Sequence, residues 1–229
     1  MISCRWLWLA SGAGEPAWNM ALDEALMTGV ARLNQPVLRL YRWTEPAATF
    51  GYSQRIEEIE RATPLRPLVR RPTGGGLVPH EADWTYSVAL PPKHAWYQLR
   101  AEQSYEQMHR WLQQSFARLG VATALAPCCR KEIPGQCFAG YEKADLLWQG
   151  RKIAGAAQRR SKQGLLIQGS IQPQPAGIGR AAWEAALGQA AVAAWEVIWA
   201  EMPAEDWLLE QARDLARAKY ASPAYNRRR

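Results

Sequence analysis

Three consecutive glycines, Gly74-Gly75-Gly76, constrain this chain more than any other feature. Glycine adds backbone entropy and no packing, so a triplet has no stable place inside a helix or a strand. It reads as a loop. Arg70 and Arg71 stand before it, and Trp84-Thr85-Tyr86-Ser87-Val88 follows with strand character. The loop is therefore expected at the end of a strand with its peptide N–H groups bare. The two arginines lie near enough to meet a carboxylate or a phosphate. A glycine-rich hairpin with an exposed basic pair fits the same residues.

With 229 residues and 48% hydrophobic content the chain can bury a substantial core. It is expected to form a single catalytic domain over 1–229, with 180–229 as a helical C-terminal extension. No run of about eighteen apolar residues exists, so no membrane partner is expected. The first nine residues are too short for a signal peptide's apolar region and read as the first strand of a cytoplasmic protein. Four cysteines (Cys4, Cys128, Cys129 and Cys137) do not make a disulfide scaffold at this length. With three scattered histidines and no zinc-knuckle spacing, no metal site is expected. The formal charge of +7 suits an acidic protein partner. The twelve tryptophans are not interleaved with basic residues as a base-stacking surface would be, so no nucleic acid partner is expected.

Helical periodicity runs through residues 19–27, with Asn19 as its N-cap. Residues 37–43 alternate after Pro36 and read as a strand, and residues 49–54 read as a second strand interrupted by Gly51. A core-facing stripe of Tyr105, Met108, Leu112, Phe116 and Leu119 predicts a helix over 99–119, stopped by Gly120. Residues 145–148 and 151–158 flank Gln149-Gly150 as a hairpin, and 165–171 adds a strand. Beyond Gly179 the chain is alanine-rich and reads as helical through Ala221. The fold class is α+β: a mixed, largely antiparallel sheet with packed helices.

Lys152 lies in a predicted strand beside Ala154, Gly155, Ala156 and Ala157, where small side chains permit close approach of a ligand. An ammonium there can hold a carbonyl or phosphate oxygen, though an exposed edge-strand lysine fits equally. Arg70-Arg71-x-Thr73-Gly74-Gly75-Gly76-x-Val78-x-His80, then Gly150-Arg151-Lys152-Ile153-Ala154-Gly155-Ala156-Ala157, then Gln168-Gly169-Ser170-Ile171 resemble the lipoate–protein ligase, octanoyltransferase and biotin ligase superfamily. The segments at 19–23 and 53–54 are similar to it too, so the resemblance covers about residues 5–175. It implies a catalytic domain like those of class II aminoacyl-tRNA synthetases and biotin ligases. It also implies that Arg71, Thr73, Gly74, Gly75, Gly76, His80, Lys152, Gly155 and Ala156 belong to the acyl site, with Val78 helping to shape the acyl tunnel. Where the family often carries histidine, this chain has Gln168.

Cys137, in Gly135-Gln136-Cys137-Phe138, lies fifteen residues before Lys152. This resembles the ligase-like branch of octanoyltransferases, in which a Cys-Phe pair supplies the nucleophile. The chemistry is coherent in itself. A thiolate takes an acyl group from a carrier-protein thioester, and a lysyl amine of a second protein then takes it from the enzyme. Lys152 beside the sulfur is expected to activate the thiol and polarise the carbonyl, and glycine-loop N–H groups complete an oxyanion site. His80 reads either as a general base or as a structural histidine.

The expected function is octanoyl transfer from acyl carrier protein to a lipoyl domain or glycine-cleavage H protein, with no cofactor. An ATP- and Mg2+-dependent lipoate–protein ligase catalytic domain is the alternative, with Cys137 inert. A non-catalytic acyl- or protein-binding module of the same fold is a third reading.

Overall fold

The computed structural model describes residues 5–133, 135–203 and 205–228. Its main sheet has eight strands. In chain order these are β1 (Arg5–Gly14), β2 (Val37–Trp43), β6 (Trp84–Leu90), β7 (Ala124–Leu125), β10 (Leu146–Trp148), β11 (Arg151–Ser161), β12 (Gly164–Ile171) and β13 (Ile198–Glu201). Their spatial order is β13-β1-β2-β6-β12-β11-β10-β7. Pairing is parallel across β13-β1-β2 and antiparallel from β2 onward. The largely antiparallel α+β architecture expected from the sequence is present.

Alternation along the strands divides the core in two, because successive side chains point to opposite faces. On one face Trp6, Leu38, Leu40, Tyr86, Val88 and Leu90 pack against α4 (Ala101–Arg118) and α5 (Arg180–Trp195). On the other, Leu7, Val37 and Ala89 meet α1 (Pro16–Leu33) and α6 (Asp206–Leu215). Each such Leu or Val contributes roughly 1.5–3 kcal/mol by leaving water. Trp6, Trp84, Trp96, Trp111 and Trp183 are buried in the core. Trp6 makes ring contacts with Trp96, Trp111, Trp195 and Trp199 at centroid separations of 5.6–6.2 Å.

A second, three-stranded sheet has the order β4-β3-β5, built from β3 (Ala47–Phe50), β4 (Leu68–Arg70) and β5 (Val78–His80). The glycine loop joins β4 to β5 across the central β3. A two-stranded ladder, β8 (Arg130–Lys131) with β9 (Gly140–Tyr141), closes a loop that carries Cys137. The short helices α2 (Ile56–Ala62), α3 (Ala95–Gln98) and α7 (Pro223–Asn226), and a π-helical turn at Ala216–Tyr220, complete the described elements.

Three local expectations are corrected. The first helix begins at Pro16 with Glu15 at the cap position, so Asn19 lies inside it. Proline suits a first turn, where its missing N–H has no partner to lose. The Asn19 amide instead donates to the Gly14 and Arg42 carbonyls. The strand expected over 49–54 ends at Phe50, and the chain then turns, the Gly51 N–H donating to Gln54 Oε1 at 2.9 Å. The stretch 180–221 is not helical throughout. α5 ends with Glu196 in the left-handed region (φ 52°), and Ile198 to Glu201 then pair in parallel with β1. Cys4 lies outside the described residues. Among the described residues no helix is long and apolar enough to cross a membrane.

Candidate active site

Cys137 is held against the glycine loop by backbone pairing. Leu77 and Gln136 form an isolated parallel bridge, the Leu77 N–H donating to Gly135 O at 2.7 Å and the Cys137 N–H to Leu77 O at 3.1 Å. This approach is possible because Gly76 has no side chain: a Cβ there would lie 2.4 Å from the Gly135 carbonyl oxygen. Gly51 makes room on the other side of the loop, since its Cβ would lie 1.9 Å from Gly75 O. The Gly76 N–H then points at the thiol, 3.1 Å from Cys137 Sγ.

Arg71 is the second group on the sulfur. Its guanidinium is buried, donates to the Gly74 and Gly76 carbonyls at 2.8 Å each, and reaches the Cys137 side chain. Burial lowers its affinity for the proton below the ordinary arginine value, and Cys137 and Tyr41 recover part of that. A guanidinium and a backbone N–H on one sulfur are donors suited to a thiolate.

Lys152 lines the same cleft as Cys137. Its ammonium donates to the Cys137 carbonyl oxygen at 2.7 Å and pairs with Asp145 Oδ2 at 2.7 Å. Its side chain lies across Gly155, where a Cβ would come within 2.6 Å of both Cε and Nζ. Asp145 is buried, and it also accepts from the Glu142 N–H and the Tyr105 hydroxyl. Burial and this carboxylate hold the Tyr105 phenol well above its usual range. An ammonium has three donors. Two are engaged here, and the ammonium also lies over the Phe138 ring, 5.0 Å from its centroid.

Arg71, Val78, His80, Cys137, Lys152, Gly155 and Ala156 all line one cleft, with about 460 Å³ of empty space counted out to its open mouth. Its wall is mostly apolar, with Met20, Tyr41, Trp43 and Phe138 contributing. Thr73 and the three glycines do not line it, and Gly76 instead lines an adjoining cleft with Cys137, Lys152 and Ala156. The Thr73 hydroxyl donates to Gln168 Oε1 at 2.8 Å, and the Gln168 amide donates to Asp23 Oδ2 at 2.6 Å. Asp23 also binds Arg39 (2.7 Å), Ser87 (2.6 Å) and Tyr41 (3.0 Å), all buried. Gln168 thus ties the glycine loop to a buried ion pair.

His80 has both ring nitrogens engaged, Nδ1 with Asp83 Oδ2 at 2.9 Å and Nε2 with the Thr49 hydroxyl at 2.8 Å, and it stacks on Trp43 at 4.0 Å. Burial raises the Asp83 carboxyl, but His80 and the hydroxyls of Ser170 and Thr85 outweigh it, leaving the group below its ordinary value. Arg70, adjacent in sequence to Arg71, serves the scaffold. Its guanidinium donates to carbonyls of Tyr52 and Gln54 and of Tyr225, Asn226 and Arg228.

Sequence reasoning did not single out Asp145, Thr49, Asp83, Trp43 or Tyr41. Thr49, Trp43 and Tyr41 lie far in sequence from the groups they serve, whereas Asp83 and Asp145 lie close to His80 and Lys152 but in no motif that marks them. Among the described residues no cluster of His, Cys, Asp and Glu is arranged to hold a metal.

Residues 15–175 match the family described as the lipoyl protein ligase A/B catalytic domain. The octanoyltransferase LipM of Staphylococcus aureus is 35% identical over 179 residues, which cover 72% of this chain and 65% of the relative. The chain thus spans about two thirds of the length of that relative. Among solved structures, a lipoate-protein ligase A bound with ATP superposes with a TM-score of 0.82 at 20% identity, over 97% of this chain and 98% of that one. A bi-partite lipoate protein ligase from Thermoplasma acidophilum, solved in work on an archaeal lipoylation system that includes its E2 lipoyl domain, gives 0.73 at 20% identity, over 97% and 96%. These structures share the fold. With a family match over residues 15–175, the chain belongs to the lipoyl protein ligase A/B catalytic-domain family.

Proposed function

We propose that this chain is the catalytic unit of an octanoyltransferase that moves an octanoyl group from acyl carrier protein to a lysine of a lipoyl domain or glycine-cleavage H protein. The observation that carries this reading is the environment of Cys137: a thiol that accepts from the Gly76 N–H, with the buried Arg71 guanidinium interacting with it, at an apolar cleft. Its similarity to octanoyltransferase LipM supports the reaction class.

The reaction is two acyl transfers. The Cys137 thiolate attacks the thioester carbonyl carbon, a carbon–sulfur bond to Cys137 forms, and the bond to the carrier's thiol breaks. The carrier thiolate leaves and takes up a proton. The neutral amine of the acceptor lysine then attacks the enzyme thioester. The amide forms, Cys137 leaves as thiolate, and the extra amine proton is released. Both tetrahedral intermediates place negative charge on the acyl oxygen. Lys152, whose side chain lines the cleft, is positioned to receive it, and Tyr41, Trp43, Val78 and Phe138 enclose the alkyl chain. The route needs no nucleotide. The chain's positive charge suits carrier and acceptor domains with acidic surfaces.

The ligase alternative is favoured by the fold shared with the ATP-bound lipoate-protein ligase A. A lipoyl-domain acceptor assay separates the two. The transferase modifies the acceptor from octanoyl acyl carrier protein with no ATP, and Cys137→Ser abolishes transfer. A ligase modifies it only from a free acid with ATP and Mg2+, and Cys137→Ser leaves that activity intact.

A further inference from the structure

We infer that Asp83, His80 and Thr49 form a positioning relay that fixes Arg71 against the Cys137 sulfur, so that a carboxylate remote from the reacting atoms sets the reactivity of the nucleophile. The inference rests on the proposed role of Cys137.

The relay is a single buried line of hydrogen bonds. Asp83 Oδ2 accepts from the Thr85 hydroxyl at 2.8 Å, the Ser170 hydroxyl at 2.7 Å and His80 Nδ1 at 2.9 Å, so the ring edge facing the carboxylate carries a proton. At the other ring nitrogen, Thr49 is the partner at 2.8 Å. Thr49 Oγ1 accepts from Arg71 Nη1 at 3.0 Å, and the same hydroxyl meets His80 Nε2. His80 is occupied at both nitrogens and stacked on Trp43, so it serves as a strut and takes no proton from substrate.

Arg71 is where the relay meets the chemistry. Nη1 is held by Thr49, while Nη2 bridges the Gly74 and Gly76 carbonyls. With both ends fixed the guanidinium plane has one orientation, and the open face of Gly75 shows where it leads. A methyl on Gly75 would lie 3.3 Å from Arg71 Nη2 and 3.7 Å from Cys137 Sγ. The arginine holds the loop carbonyls on the side of Gly75 that the thiol also borders, interacts electrostatically with Cys137, and has Thr49 as its one side-chain hydrogen-bond partner among the described residues. The other charged groups near the sulfur are already committed. Lys152 is bound to Asp145 and the Cys137 carbonyl.

The test is the alkylation rate of Cys137 by iodoacetamide at neutral pH, followed by peptide mass spectrometry and set beside the rate of octanoyl loading from octanoyl acyl carrier protein. Thr49→Val keeps the shape and removes both hydrogen bonds. It is expected to slow alkylation and loading on the order of tenfold while leaving the KM for the donor unchanged. Thr49→Ser is expected to restore both, because the hydroxyl returns. Asp83→Asn, which loses acceptor capacity two links away, is expected to act in the same direction and serves if Thr49→Val does not fold. A folded Thr49→Val or Asp83→Asn protein that alkylates at the wild-type rate would overturn the relay. Alkylation needs no acyl donor, so a wild type that alkylates but never loads octanoate would sink the transferase reading and leave the relay standing.

Discussion

A lysine ammonium with a 6% exposed side chain is stable only with partners that replace water. Lys152 has Asp145 and the Cys137 carbonyl, and Gly155 leaves the space through which its side chain reaches them. Gly155→Ala puts a methyl onto the tip of a flexible side chain, so the ammonium moves while the backbone stays. The expected result is a loss of acyl loading of at least tenfold with a change in thermal midpoint of only a few degrees. Asp145→Ala removes the buried partner itself and is expected to destabilise by about 3–5 kcal/mol, read from a urea titration. Cys137 and Lys152 were legible in the sequence because motifs flank both. Asp145 and Thr49 were not, because they reach the site through pairings that a linear pattern does not encode.

Helices and strands show where periodicity carries information and where it is silent. The 146–161 hairpin was readable from Gln149-Gly150 between two strand-like runs, and Gln149 and Gly150 both take positive φ, as a tight primed turn requires. Strand β13 was hidden because four residues at a sheet edge follow a long alanine-rich helix, and only pairing with β1 selects the extended form. Helix α4 was readable from its apolar stripe, yet the same stripe buries His109, whose pKa burial draws down to about 4. Burial does the same to His94, also to about 4. In the unfolded chain both rings protonate near pH 6.5, so between about pH 6.5 and 4 the unfolded state binds more protons than the native one. Stability from these rings is complete above that window and is lost as pH falls through it. His109 is expected to contribute a fall on the order of 2–3 kcal/mol between pH 7 and pH 4.5. Urea midpoints across that range check this, and His109→Gln is expected to flatten the slope. Asp83, held below its ordinary value, loses its contribution only at lower pH still.

Across the whole molecule, the small sheet that carries the glycine loop is tied to the large one by buried polar links and closed by the C-terminal segment. Thr73–Gln168–Asp23–Arg39 is the link to the large sheet, and the carbonyls gathered on Arg70 make the second connection, to the C-terminal segment. Asn226 is central to the second. Its side chain accepts from the Arg70 N–H at 2.8 Å and donates to the Tyr220 carbonyl at 2.8 Å. Asn226→Ala is expected to cost about 1–3 kcal/mol and to speed amide exchange in β4 before that in the large sheet, as hydrogen-exchange mass spectrometry would read. The α+β class was legible from the order of strand-like and helical runs. The closure was not, because Arg70 reads in sequence as half of a surface basic pair.

Intact-protein mass spectrometry of the wild type and Cys137→Ser, each mixed with octanoyl acyl carrier protein in the absence of ATP, tests the assignment of Cys137 most directly. The account predicts one octanoyl increment on the wild type that hydroxylamine removes and that Cys137→Ser lacks. It is contradicted by a wild type that gains no increment and modifies an acceptor only when ATP and free lipoate are supplied.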